Sequence, residues 1–342
     1  MRIAIVNDVA MAIEALRRAL AFNPEHQVAW TAGNGADAVA LCAKDTPDLV
    51  LMDLIMPGMD GVEATRQIME GSPCAIVVVT ASIGANSWRV FEAMGHGALD
   101  AVDTPEFADG KDPREAATAL LRKVDTIARL LGDRTPRPAP SRGERKVAGE
   151  RLIAIGASSG GPAALARLLA GLPSDLATPV IIVQHIDLQF AAGMADWLQQ
   201  FSPFPVRLAL EGDRPLPGTV LLAGTADHLV FKDASRLGYT AEPASYVHRP
   251  SVDVFFNSAC RHWRGEVFGV LLTGMGRDGA AGLKGLRDKG HYTVAQDEAS
   301  SAVYGMPKAA ADMQAAVEVL PLDEIAPRLA KLVSGAQWKG KP

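Results

Sequence analysis

One stretch limits every fold open to this chain. Asp133-Arg-Thr-Pro-Arg-Pro-Ala-Pro-Ser-Arg-Gly-Glu-Arg-Lys146 carries three prolines, several cations and no large apolar side chain. It has nothing to bury, and its prolines favour extended backbone, so it reads as a linker. Of the 342 residues, it leaves two pieces, each long enough for its own core. We set the first domain at residues 1–120, a helix end and the linker at 121–149, and the second domain at 150–337. With 48% hydrophobic and 21% charged residues, the chain around the linker has the composition of a globular protein. A net charge of −5 speaks against partnership with nucleic acid or an anionic membrane surface. Cys42, Cys74 and Cys260 lie far apart, with no CxxC spacing, which argues against a disulfide scaffold and a thiolate zinc site. A reducing cytoplasm fits. No apolar run is long enough to span a membrane, and the apolar start Met1–Val6 is broken at once by Asn7 and Asp8, unlike a signal peptide.

Both pieces alternate between two hydrophobic periods. In the first, Arg2–Asn7, Val28–Thr31, Leu49–Met52, Ala75–Thr80 and Ala98–Val102 read as strands. Between and after them, Met11–Ala21, Ala36–Ala43, Val62–Met69, Ser87–Met94 and Pro113–Leu131 read as helices. In the second, strands are expected at Leu152–Gly156, Val180–Gln184, Leu221–Gly224, His228–Phe231 and Val267–Thr273. Helices are expected at Pro162–Ala170, Met194–Phe201, Val254–Ala259 and Ala280–Lys289. Such alternation predicts an α/β protein built of two doubly wound parallel-sheet domains.

In an open parallel sheet, chemistry gathers beyond the carboxyl ends of the strands. Asp8, Asp53 and Thr80 stand at such ends in the first domain. If strand one lies beside strand three, Asp8 and Asp53 converge into an oxygen-rich site suited to Mg²⁺. A carboxylate beside a metal can accept a phosphoryl group, and Thr80 could then bond a phosphoryl oxygen. The competing account has Asp8 capping the first helix and Asp53 merely closing a strand.

The run Leu51-Met-Asp-Leu-Ile-Met-Pro-Gly-Met-Asp-Gly61 resembles the phosphorylation segment of response-regulator receiver domains, and the resemblance extends over about residues 1–120. It implies a flavodoxin-like fold, phosphorylation of Asp53 by a histidine kinase of the CheA type, and Mg²⁺ bound by Asp8 and Asp53. Two positions depart from the family pattern. Asn7-Asp8 stands where an acidic pair is usual, and Asp103-Thr104-Pro105 puts Thr104 where a lysine is usual. Without that cation, weaker phospho-activation than is usual for the family is expected.

In the second domain, Gly156-Ala-Ser-Ser-Gly-Gly161 joins a strand to a helix and matches the G-x-S-x-G nucleophile pattern. Ser158 would stand near a helix start whose free N–H groups can stabilise an oxyanion. A phosphate-binding turn is the rival, but this segment has neither the G-x-G-x-x-G fingerprint nor the P-loop Gly-Lys-Ser/Thr. His185 ends the strand Val180–Gln184, and this position favours it as base over His228, His248, His262 and His291, which follow less regular segments. Asp278, Asp227, Asp253 and Asp297 all remain open as the third member on residue chemistry alone.

Five segments, in order, resemble the catalytic domain of the CheB chemotaxis methylesterase family. They are Ile155–Gly161, Val183-Gln-His185, Arg249-Pro-Ser-Val-Asp253, Leu272-Thr-Gly-Met-Gly-Arg-Asp-Gly279, and Ala295–Ala299 with Tyr304-Gly-Met-Pro307. The resemblance covers about residues 150–335. It implies a Rossmann-like methylesterase domain with Ser158 as nucleophile, His185 as base and Asp278 as acid. The oxyanion donors map to Ser159, usually threonine in the family, and to the backbone around Met275. It further implies hydrolysis of glutamate γ-methyl esters on chemoreceptor-type proteins, deamidation of receptor glutamines, and no cofactor for the esterase reaction. Asn7-Asp8 and Thr104 point toward the branch that serves surface-sensing, Wsp-type systems. Two other classes compete. A binding adaptor without hydrolysis is opposed by the complete set of catalytic residue types. A DNA-binding regulator is opposed by the acidic balance and the lack of a helix-turn-helix pattern. Release of methanol from methylated receptor separates the enzyme from both.

Overall fold

The structure is a computed structural model and describes residues 1–81, 83–107, 112–132, 151–246 and 248–335. It divides into two compact units, Met1–Arg134 and Thr135–Pro342. The linker assigned to Asp133–Lys146 lies outside the described residues.

The first unit runs β1 (Arg2–Val6), α1 (Ala10–Leu20), β2 (Gln27–Ala32), α2 (Gly35–Lys44), β3 (Leu49–Met52), α3 (Gly61–Gly71), β4 (Ala75–Thr80), α4 (Ile83–Gly95), β5 (Asp100–Asp103) and α5 (Pro113–Gly132). The five strands form one parallel sheet in the order β2-β1-β3-β4-β5. That is the flavodoxin-like doubly wound order. Ile3–Val6, Leu49–Met52 and Ile76–Val79 are buried throughout, as expected for strands covered on both faces. Asn34 and Asp60 cap α2 and α3 by accepting the backbone N–H of Asp37 and Glu63. Because β1 lies beside β3, Val6 pairs with Met52 and the chain ends carrying Asp8 and Asp53 leave the sheet together.

The second unit contains β6 (Arg151–Ala157), α6 (Gly161–Ala170), β7 (Val180–Gln184), α7 (Leu188–Gln199), β8 (Val206–Leu208), β9 (Val220–Leu222), β10 (His228–Phe231), β11 (Leu237–Thr240), α8 (Val252–His262), β12 (Glu266–Leu271), α9 (Ala280–Asp288), β13 (Tyr292–Gln296), α10 (Met306–Asp312), β14 (Glu318–Leu320) and α11 (Leu322–Val333). Seven strands make a parallel sheet in the order β14-β13-β12-β6-β7-β9-β8, and β10 and β11 form a separate antiparallel pair. Strand order reverses at β6. From there the chain moves outward through β7, and it returns through β12 on the other side of β6. The crevice beyond the carboxyl ends of β6 and β12 is therefore the topological switch point, where such sheets place their ligands.

Candidate active site

All three residues expected to do chemistry in the second unit leave that edge. Ser158 follows β6, His185 follows β7, and Asp278 lies in the loop after β12. The register fixes the first two side by side: Ala157 pairs with Gln184, and the His185 N–H donates to the Ala157 carbonyl at 3.1 Å. The Gln184 amide then donates to the carbonyls of both Ser158 (2.8 Å) and His185 (3.0 Å), tying the two turns together.

Asp278 meets His185 directly, with Oδ2 2.7 Å from Nε2, and both side chains are buried. Among the four candidate acids, only Asp278 has this contact. Asp297 accepts from the N–H and hydroxyl of its neighbour Ser300. Asp227 sits in a turn, its N–H donating to Thr225 Oγ1. Asp253 accepts the Gly282 N–H at 2.6 Å. Asp278 also accepts the Ser251 hydroxyl (2.8 Å) and the N–H groups of Val252 (2.7 Å) and Asp253 (3.1 Å) at the start of α8. Burial alone would raise its pKa. The bonds from His185, Ser251 and Val252 outweigh burial and hold the carboxyl down at about 2, so it is ionised at neutral pH.

The second ring nitrogen of His185, Nδ1, is buried and has no hydrogen-bond partner among the described residues. Ser158 is likewise buried, and no hydrogen bond joins its hydroxyl to His185. The loop after β12 closes over the serine: a Cβ at Gly274 would strike Met306 Sδ and lie 2.8 Å from the Ser158 Cβ. Only glycine lets that backbone approach so closely. The loop is pinned there, because Gly274 N donates to Val303 O and Thr273 Oγ1 donates to Ser159 O. Among the described residues, the N–H groups of Ser159 and Met275 donate to no backbone carbonyl.

Several neighbours had no sequence signal strong enough to place them. His248 stacks on His185, with ring centroids 4.2 Å apart and planes 10° from parallel. His228 is fully buried, and its Nδ1 accepts the Ser251 N–H at 3.1 Å. Ser251, which caps α8, was visible only as part of Arg249–Asp253.

In the first unit, Asp53 is buried and Asp8 exposed. The Asn7 side-chain amide donates to Asp53 Oδ2 at 3.0 Å, and the Leu54 N–H donates to Oδ1 at 2.7 Å. The capping role considered for Asp8 is not realised: Val9 occupies the cap position of α1, without a side-chain bond. Gly61 explains the Asp60-Gly61 motif, since a Cβ there would collide with the Asp53 carbonyl oxygen. Burial raises the Asp53 pKa, the Leu54 and Ile55 N–H groups oppose the rise, and the Asp8 charge adds to it. A buried carboxylate crowded by a second one, with all donors oxygen, fits a hard divalent cation such as Mg²⁺. Thr80 is buried at the end of β4, and its Oγ1 lies 3.4 Å from the Asn86 side-chain nitrogen. Thr104, in the usual lysine position, donates its N–H to Thr80 O. Among the described residues, no lysine or arginine pairs with Asp53.

Residues 153–329 match the CheB methylesterase family, and residues 3–109 match the response regulator receiver domain. The chain belongs to the CheB methylesterase family. A protein-glutamate methylesterase/protein-glutamine glutaminase 2 of Pseudomonas syringae pv. syringae is 61% identical over 337 residues, 96% of this chain and 98% of that one. The protein of the same name from Cupriavidus metallidurans is 59% identical over 338 residues, 98% and 100% of the two chains. Among solved structures, the Thermotoga maritima CheB methylesterase catalytic domain is 30% identical with a TM-score of 0.52, covering 54% of this chain and 99% of that one. These likenesses reach the CheB family and its receiver domain. They do not choose between flagellar and Wsp-type branches. Among the described residues, no helix is long and apolar enough to cross a membrane.

Proposed function

We propose that this chain is a phosphorylation-regulated protein-glutamate methylesterase and protein-glutamine glutaminase, with Ser158 as nucleophile, His185 as base and Asp278 as the fixed charge behind it. The observation that carries the assignment is the His185–Asp278 bond of 2.7 Å at the switch point of the sheet, one strand from Ser158.

The substrate is a methylated chemoreceptor-type protein. Ser158 Oγ attacks the γ-carbonyl carbon of a glutamate methyl ester, and its proton passes to Nδ1 of His185, the ring nitrogen with no other partner. Ionised Asp278 stabilises the resulting imidazolium and keeps Nε2 protonated. The carbonyl oxygen becomes an oxyanion and takes hydrogen bonds from the N–H groups of Ser159 and Met275. When the C–O bond to the methoxy group breaks, the imidazolium returns the proton and methanol departs. Water, deprotonated by the same nitrogen, then splits the acyl-serine ester to give glutamate and free Ser158. With a glutamine substrate, the C–N bond breaks and ammonia leaves. This scheme uses these side chains, two backbone N–H groups and water, with no cofactor.

Control enters through the first unit. Asp53 accepts a phosphoryl group from a CheA-type histidine kinase, its Oδ forming the O–P bond as the N–P bond of the donor breaks. Asp8 and Asp53 would hold Mg²⁺, which offsets phosphoryl charge when bound. Thr80 then turns its hydroxyl to a phosphoryl oxygen. Thr104, lacking a cation, weakens the response, and together with Asn7-Asp8 it favours the Wsp-type branch. Such partners place the enzyme in the cytoplasm. The test is methanol release from methylated receptor by the full chain, with and without a small-molecule phosphodonor. Stimulation should require both Mg²⁺ and Asp53. Equal stimulation of Asp53→Ala would refute the control scheme, and undiminished release by Ser158→Ala would refute the site.

A further inference from the structure

We infer that Asp253 is a positioning residue for hydrolysis, because Asp253 and Asp278 each bind the start of the other's helix; this rests on the triad reading above. Asp253 lies in the first turn of α8, and Asp278 immediately precedes Gly279, the cap of α9. The first N–H groups of a helix have no partner within it, and the helix start carries partial positive charge. Asp278 takes the N–H groups of Val252 and Asp253 from α8. Asp253 Oδ1 takes the N–H of Gly282 from α9 at 2.6 Å.

The two helices pack closely enough that a Cβ on Gly282 would lie 3.0 Å from the Asp253 carbonyl oxygen. Neither helix start can shift along the other without breaking one carboxylate bond, and a shift of α9 carries Asp278 away from His185. Among the described residues, Asp253 has no hydrogen bond to His185 or the serine loop, so its influence on the reaction runs through Asp278. The arrangement crowds two acids together. Burial first, and the Asp278 charge second, push the Asp253 carboxyl up to about 6. An amide at 253 relieves that crowding and keeps an oxygen for the Gly282 N–H.

Asp253→Ala, Asp253→Asn and Asp278→Asn should be compared in the full chain for kcat and KM of methanol release and for thermal melting. Removing the acceptor in Asp253→Ala should lower kcat by about tenfold or more through misplacement of the acid, with KM nearly unchanged. Asp253→Asn should regain most of the lost kcat. Wild-type kcat in Asp253→Ala, beside a nearly inactive Asp278→Asn, overturns this inference and leaves the triad standing. An active Asp278→Asn beside an inactive Asp253→Asn overturns the triad itself. If Asp253→Ala does not fold, Asp253→Asn decides: a folded but inactive Asn variant makes the charge, not the hydrogen bond, the working feature and refutes the positioning role.

Discussion

Replacing Asp278 with asparagine changes one oxygen to an amide nitrogen and deletes one charge, and the structure sets the size of the consequence. The carboxylate accepts four hydrogen bonds, two on each oxygen: His185 and Val252 on Oδ2, Ser251 and Asp253 on Oδ1. Every partner is a donor, so whichever way the new amide turns, its NH₂ group faces donors. If it faces His185, the imidazole must present an unprotonated Nε2, and the proton moves to Nδ1, the atom that should receive the serine proton. If it faces Ser251, tautomer and fold survive better, but the charge is still gone. Two unit charges about 4 Å apart in an effective dielectric of about 20 interact by about 4 kcal/mol, which is about a thousandfold in rate. The tautomer penalty adds to this, so kcat should fall by about 10³ to 10⁴. KM should hold, because Asp278 lies behind the base rather than against substrate. Methanol release under saturating methylated receptor reads the loss, and labelling of Ser158 by a serine-directed phosphonylating reagent should slow in step. A variant within tenfold of wild-type kcat would remove Asp278 from the charge-partner role.

Ser158→Ala should lose methanol release completely while melting as the wild type does, since its small side chain deletes only an unbonded hydroxyl; residual turnover with an acyl intermediate would name another nucleophile. His248→Ala uncovers one face of the His185 ring, and a stacked pair contributes about 0.5–1.5 kcal/mol. We expect a loss of kcat of at most about tenfold, restored by His248→Phe and read in the same assay. Gly274→Ala should depress kcat through the clash of its Cβ with Ser158 and Met306, and an unchanged kcat would show that the loop is free to move. Burial lowers the pKa of His228. Its neutral form is therefore favoured in the folded state, and the stability this supplies is present above the ordinary histidine range and lost as pH falls through it. The melting-temperature gap between wild type and His228→Asn should narrow between about pH 7.5 and pH 5.5; a gap that stays constant would refute the burial argument.

The strands that build each sheet's centre were legible because they are covered on both faces. Ile3–Val6, Leu49–Met52, Leu152–Ile155 and Val180–Val183 are runs with no polar interruption, and they are fully buried. Edge strands β8 and β14 have three residues each and partly exposed patterns, too short for a period to show. Strand β11 has a glycine at its second position. In β13 Thr293 is buried and polar, its hydroxyl bonded to Ala315 O, a partner no local pattern announces. Helix α11 contains Pro327, which interrupts any helical signal read along the chain. The apolar periodicity begins only at Met194 and Val254, whereas α7 and α8 start at Leu188 and Val252. The α8 boundary mattered, because its first turn holds the donors that bind Asp278.

The candidate site divides the same way, for a physical reason. Strand ends mark where chemistry can gather, so Ser158, His185, Asp8, Asp53 and Thr80 could be picked out by position before any topology was known. The third member could not. Asp253 and Asp278 both sit at helix starts, both are partly or wholly buried, and both accept backbone N–H groups. Nothing in their local sequence separates an acid that faces a histidine from one that faces a neighbouring helix. The family resemblance names Asp278, and the physical separation comes from β12 lying against β6, where the loop after β12 passes over Ser158 and brings Asp278 within 2.7 Å of His185. Asp253, on a helix packed beneath that loop, is left with the Gly282 N–H. Strand order thus gives Asp278 an imidazole partner that Asp253 lacks. Burial raises both carboxyls, but the His185 bond and charge bring Asp278 down to about 2, whereas at Asp253 burial and the charge of Asp278 win over the amide bonds and push it up to about 6.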